Sequence, residues 1–436
     1  MTKHNDRIFL NRLNQHPQLC ERIEALLNVI DNETGDYTTA HDAENQLIEE
    51  LRKMGNDALH CWADKACDKS STHFHEQNPK YHYDGKKKVW WHTTFGKISV
   101  NEQQFCHLGK KIRAFSKSAM ITTRCCSMPL QSVMTDFGAD HSFGKVPEKL
   151  QEHYGITLPV STIQKITEFH GNKMLQQKQN AALPLEASGC QQQIGEIDGC
   201  MLPIVTIGSA DGDKRKQKTL HWQEARLALV HENGIVKPKF DATFGGNVDD
   251  AGQALLNCAV AAGFGTQTQL HAVSDGAFWI IDQVTTKFGA QASYLVDFYH
   301  VCEYLAAASK ACEPNNHRSW AKQQEELLKQ NEFEKVIKNL AAHLETNDVE
   351  NHKAPVRACH RYLSNRTNQL DYKGAIEKGL PIGSGEIESA HRYVIQKRLK
   401  LPGAWWIAAN VESMLALRVV RANDDWGKYW ANSATA

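Results

Sequence analysis

The strongest constraint on this chain is the stretch from residue 190 to 312, where strand-like and helix-like patterns alternate and three acids sit at or near strand ends. "QIGEIDGCMLPIVTI", "TLHWQEARLALVHE" and "GIVKPKFDATFG" read as three consecutive strands with polar turns, the first turn being "GSADGDKRKQK". A meander is their natural pairing. "NVDDAGQALLNCAVAAGFG" then predicts a helix ending at Gly, "QLHAVSD" a strand, "FWIIDQVTTKFG" a second helix, and "SYLVDFYH" a strand leading into "VCEYLAAASKA". Because a strand-helix-strand crossover favours parallel neighbours, the fourth and fifth strands should extend the sheet beside the first. Asp198 and Asp275 then fall on adjacent strands, and Asp297 with His300 marks the next strand-helix junction.

Two carboxylates a few ångströms apart repel unless a cation lies between them, and each has its pKa raised. Shared divalent metal removes the conflict, and hard oxygen donors point to Mg²⁺ or Mn²⁺ rather than zinc. Two such ions could stabilise the attacking and leaving oxygens of a phosphodiester. A third acid is expected downstream. Residues 313–380 are helical and polar, and interrupt the alternation like an insertion; after them "GLPIGSGEIESAHRYVIQKRLKLPGAWW" opens a helix holding Glu386 and Glu388. Residues two apart on a helix face different directions, so only one of the two should reach the site. Arg392, Lys397, Arg398 and Lys400 follow as a basic surface for a phosphate-rich substrate.

The rest of the chain divides by pattern. Residues 1–68 read as helices, with Gly35 as a break. Residues 69–128 become strand-like and basic, with ten Lys and Arg against Asp84 and Glu102 between 80 and 124, either a solvated face or a phosphate-contact surface. Residues 129–185 read as a helix-turn-helix: Pro147 suits the first turn of a helix ending near Gly155, and Ser161 with Gln164 makes a capping box opening the next. Thr162, Gln164 and Lys165 would then point toward a DNA groove. Residues 186–312 form the core, 313–380 the insertion, and 381–436 the end of the core with its Glu-bearing helix.

Composition narrows the class. Lys plus Arg and Asp plus Glu both total 50, so any nucleic-acid binding must rest on local patches. Twelve Cys without a C-x-x-C pair argue against a zinc ribbon or a disulfide framework. The start "MTKHNDRIFLNRL" has no signal-peptide core and no run approaches a membrane span, so a soluble cytoplasmic protein is expected, with no membrane partner.

The ordered set "IDG", "SDGA.W", D-x-x-H at Asp297 and His300, a helical insertion, and "PIGSGEIESAHRYVIQKRLK..G.WW" resembles the DDE transposases of bacterial insertion sequences, in particular the ISKra-type group of the mutator-like class. The resemblance spans residues 90 to 430 and implies a ribonuclease H-like mixed sheet, three antiparallel strands plus two parallel, with a helical insertion. It implies cleavage and joining of DNA at element ends with Mg²⁺ or Mn²⁺, two ions, by a homo-oligomer acting on element and target DNA at the bacterial nucleoid. Asp198, Asp275 and Glu388 carry over as the catalytic, metal-holding acids; the pattern S-G-x-x-E selects Glu388 over Glu386. Asp297 and His300 would flank the metal site. "FCHLGKK" keeps one cysteine, Cys106, where relatives often have a pair, so a zinc ribbon is expected to be lost.

Plainer readings stand beside these. An Asp-Gly pair is usually a turn. His300 could be an interior histidine bonded to Asp297, and Trp405 and Trp406 read as core aromatics before stacking platforms. For the whole chain, a transposase-derived protein that binds DNA without cutting it, or a nuclease on the same fold, are the competing functions.

Overall fold

Three helices open the chain: α1 (Lys3–Asn14), α2 (Pro17–Asp31) and α3 (Ala40–Gln77), with Gly35 in the left-handed region between the last two. The computed structural model describes residues 3–32, 35–36, 38–121, 126–180, 188–208 and 217–435. The chain divides into two compact units, Met1–Thr167 and Glu168–Ala436. Helix α3 continues to Gln77, beyond the boundary expected at 68, because "DKSSTHFHEQ" contains neither Gly nor Pro to stop it.

In the first unit, strands β1 (His82–Thr93), β2 (Gly96–His107) and β3 (Lys110–Arg113) pair antiparallel in that order. Strand alternation buries Val89, Trp91, Ile98 and Val100 against Ala63 and Cys67 of α3 and Phe115 of the short α4 (Ala114–Ser118). Helices α5 (Met128–Asp140) and α6 (Val146–Tyr154) and the start of α7 (Val160–Asn180) share a second core of Leu130, Met134, Leu150, Ile163 and Ile166. Pro147 lies in the first turn of α6 and Gly155, at φ +64°, closes it. The capping box at Ser161 is not formed. Thr162 N–H and Ile163 N–H donate to the Pro159 carbonyl, which starts α7 at Val160 and places Ser161 inside its first turn.

The second unit carries a five-stranded sheet of order β6-β5-β4-β7-β8, from β4 (Gln192–Ile207), β5 (Lys218–Glu232), β6 (Lys239–Phe244), β7 (Gln269–Ser274) and β8 (Ala292–Val296). The first three pair antiparallel, and β4-β7 and β7-β8 pair parallel. The expected β4-β5 turn lies mostly outside the described residues, as does the expected boundary at 185. Helices α8 (Val248–Ala261) and α9 (Phe278–Phe288) supply the crossovers and cover one face through Ile197, Val230, Leu255 and Ile280.

Helix α10 (Phe298–Cys312) and the insertion helices α11 (His317–Lys329), α12 (Phe333–Ala341), α13 (Pro355–Ser364) and α14 (Tyr372–Glu377) pack on β8 around Val296, Leu305, Val336 and Leu363. The chain then returns to the sheet through α15 (Gly385–Ala390), a π-helical turn (His391–Gln396), α16 (Lys397–Leu399), α17 (Ala408–Ala422) and α18 (Trp426–Thr435). Asn423 fixes α17 by bonding both Phe240 N–H and its carbonyl on β6. Among the described residues no helix is long and apolar enough to cross a membrane.

His170 on α7 is buried, its Nδ1 is 2.6 Å from the Tyr429 hydroxyl of α18, and burial pushes its pKa down to about 4. The unfolded imidazole takes up a proton below pH 6.5 and the folded one does not until about 4, so stability falls as pH drops through that window. Between pH 7 and pH 5, chemical denaturation should show a loss smaller by about 2 kcal/mol in His170→Gln than in the wild type.

Candidate functional site

Strands β4 and β7 run parallel, with Glu196 beside Val273 at the last pair of the ladder. Continuing that register two residues sets Asp198 beside Asp275, at the point where β7 gives way to the turn before α9. The Asp198 carboxyl is half-buried and its pKa is raised, first by burial and then by the Asp275 and Glu224 charges; Gly199 N–H and His300 pull the other way. Gly199 N–H donates to Asp198 Oδ1 at 2.7 Å, and a Cβ at Gly199 would meet Glu224 Oε1 at 2.4 Å. A side chain after the acid would therefore have to displace the Glu224 carboxyl of β5.

The Asp275 turn is held by the insertion. Tyr362 O–H donates to the Asp275 carbonyl at 2.5 Å, and Arg366 Nε–H to the Gly276 carbonyl at 2.9 Å, both from or just after α13. Tyr294 of β8 accepts Gly276 N–H, and Asp275 Oδ1 accepts Ala277 N–H at 2.9 Å. Gly276 sits at φ +80° with Arg366 Nε 2.7 Å from where a Cβ would be, so both conformation and space demand glycine. The Asp275 side chain itself is exposed.

Asp297 is an anchor. It is 4% exposed; Oδ1 accepts the Tyr299 and His300 N–H groups and caps α10, while Oδ2 accepts both the N–H and the hydroxyl of Ser384, 87 residues away. Its oxygens are thus taken by protein donors, which places it behind the acid pair as a clamp. His300 is partly exposed and close enough for its charge to favour ionised Asp198; its ring packs edge-on to Tyr304 and Tyr362, and Asp297 receives its backbone N–H instead of its imidazole.

Two site residues escape a reading by motif. Glu196, two residues before Asp198 on the same face of β4, is buried and accepts Ile387 N–H at 2.7 Å. Burial, with the Glu386, Asp297 and Glu388 charges, pushes its pKa up to about 8. His391 is 3% exposed with Nε2 3.5 Å from Asp198 Oδ2, and burial with the Lys400 charge pushes it down to about 4, so it faces Asp198 as neutral imidazole. Neither ring nitrogen makes a hydrogen bond of good geometry. The signals were present: period two for Glu196, and the i,i+3 spacing of Glu388 and His391.

That spacing separates the two glutamates. Glu386 pairs with His231 of β5 at 3.2 Å, whereas Glu388 is exposed on the helix face that carries His391 to Asp198. Among the described residues no three His, Cys, Asp or Glu side chains converge as a metal-ligand group. Arg392, Lys397 and Lys400 are exposed, but Arg398 is 2% exposed with its guanidinium 4.8 Å from the Trp406 ring, so it belongs to the core and not to the basic surface. Trp406 is buried as expected; Trp405 is exposed against Trp222. In the first unit Lys165 is exposed, and Thr162 and Gln164 are half-buried.

The second unit is thus a mixed α/β module with an acid pair where β7 ends beside the middle of β4. Residues 265–432 match the profile of an uncharacterised protein family (UPF0236), a stretch holding Asp275, Asp297, His300, Glu388 and His391 but not Glu196 or Asp198. No curated protein matches the chain.

The two aspartates should respond oppositely to neutralisation. Asp198→Asn removes a crowded charge and should raise the melting temperature, whereas Asp297→Ala removes a cap and the Ser384 clamp and should cost about 2–4 kcal/mol in chemical denaturation.

Proposed function

We propose that this chain is a DNA transposase of the DDE type, similar to the ISKra-type insertion-sequence enzymes, built on a ribonuclease H-like core. The observation that carries the reading is the closeness of Asp198 on β4 to Asp275, the first residue after the parallel neighbour β7, with Glu388 on a helix returned to β4. The sheet order, with three antiparallel strands followed by two parallel ones, supports the same fold.

The donor set suits a hard divalent cation. Burial and the Asp275 charge raise the cost of ionising Asp198, and Asp198 Oδ2 and the exposed Asp275 carboxyl are left with capacity for a cation. Asp198, Asp275 and Glu388 would hold Mg²⁺ or Mn²⁺, two ions, which would acidify a bound water and offset charge on the leaving 3′-oxygen. His391 faces Asp198 from behind as a neutral ring. Asp297 and Glu196 fix the start of α15, and so the direction of Glu388. Tyr362 and Arg366 fix the Asp275 turn. Arg392 and Lys400 meet phosphates. Water attack on the phosphodiester breaks the P–O3′ bond and leaves a 3′-hydroxyl and a 5′-phosphate; that hydroxyl then attacks a target phosphodiester, so no covalent protein intermediate is needed.

The test is cleavage and joining of labelled DNA bearing the element's own ends. Asp198→Asn, Asp275→Ala and Glu388→Gln should each lower the rate at least ~100-fold, while Glu386→Gln, bound to His231, keeps it. If the wild type binds those ends and cuts with neither Mg²⁺ nor Mn²⁺, the chain is a binding protein on this fold. If it cuts and never joins, it is a nuclease.

A further inference from the structure

The β1-β2 hairpin buries one face, and on the other Lys86, Lys88, Trp90, Lys97 and Asn101 are exposed while His92 is half-buried. In its register Lys86 lies opposite Gln103, Lys88 opposite Asn101, Trp90 opposite Ser99 and His92 opposite Lys97, and directly paired residues share a face. The outer face is therefore Lys-Lys-Trp-His beside Gln-Asn-Ser-Lys, with no acid among these eight residues. The acids nearby are engaged elsewhere: Glu102 is buried on the opposite face with Arg113 and Ser116, and Asp84 bonds Lys111 and Gln104.

Trp90 is the anomaly of this face. It is 47% exposed in the middle of a strand, with the Lys97 ammonium 4.1 Å and the Lys88 ammonium 4.7 Å from its ring. Both ammonium groups lie over the half-exposed ring at the ends of flexible side chains, so they can turn onto phosphates as a base takes the ring face, which matches a base with its flanking phosphates. A duplex hides its base faces in the stack. An acidic peptide would satisfy the lysines and leave the ring uncovered.

We propose that the outer face of the β1-β2 hairpin binds single-stranded nucleic acid, with Trp90 stacking on a base and Lys86, Lys88 and Lys97 contacting the neighbouring phosphates. From Lys86 to His92 the strand spans roughly 20 Å, room for a few nucleotides. Gln103, whose side-chain amide donates to the Gly85 carbonyl, and Asn101 line the same track with neutral donors. The surface consists only of residues in the first unit and is independent of whether the acids of the second unit cut DNA.

The experiment measures binding of the full chain to a short labelled oligothymidylate and to a labelled duplex by anisotropy, in EDTA, over a series of salt concentrations. Without metal, loss of cleavage cannot be mistaken for loss of binding. Trp90→Ala should weaken oligothymidylate binding about tenfold with duplex affinity unchanged, and Trp90→Phe should recover most of it. Lys88→Gln with Lys97→Gln should make the salt slope for the single strand shallower by about 1.4. All these side chains are exposed, and an unchanged melting temperature confirms that the fold is kept. The proposal is overturned if Trp90→Ala binds oligothymidylate like the wild type, or if polyglutamate displaces the oligonucleotide as well as unlabelled oligothymidylate does.

Discussion

The second unit depends on two buried acids that receive the start of one short helix. Asp297 takes the Ser384 N–H and hydroxyl, and Glu196 takes the Ile387 N–H. Ordering that turn brings residues 381–400 back to β4 after the whole helical insertion, a loop whose closure is costly in chain entropy. Three hydrogen bonds to buried carboxyl groups, in a dry setting where such bonds strengthen, hold it. The basic residues, His391 and Glu388 all take their positions from this anchor.

The anchored arrangement is electrostatically uncomfortable. Asp198, Asp275 and Glu224 crowd around the middle of β4, just past the end of β7, and both Glu196 and Asp198 are raised above ordinary carboxylates. Such crowding is what a cation site or a proton-handling site requires and what a purely structural sheet edge avoids. His391 adds a buried imidazole at the start of a π-helical turn, a feature that recurs at functional sites because it inserts one residue and re-aims a side chain.

Much of this was legible in the sequence. Period-two runs and glycine stops place β4, β5, β7 and β8 and the crossovers between them, since local pattern and sheet topology agree there. What was not legible depended on tertiary partners. Asp297 reads as part of a site motif, but its lone pairs are taken by Ser384 and the α10 N-terminus, a fact that only contact across 87 residues reveals. Arg398 carries a charge in a basic run yet points inward onto Trp406, because period 3.6 turns it away from Lys397 and Lys400. His391 reads as one scattered histidine until the helix is laid on β4.

The central claim is that Asp198 and Asp275 share a divalent cation. A crystal soaked in Mn²⁺ and measured at the manganese edge tests it without DNA and without catalysis. The account predicts an anomalous peak about 2.1–2.2 Å from a carboxylate oxygen of each, with Glu388 turned toward it. Full Mn²⁺ exposure with no peak between the two aspartates, Glu388 remaining in solvent, would contradict it.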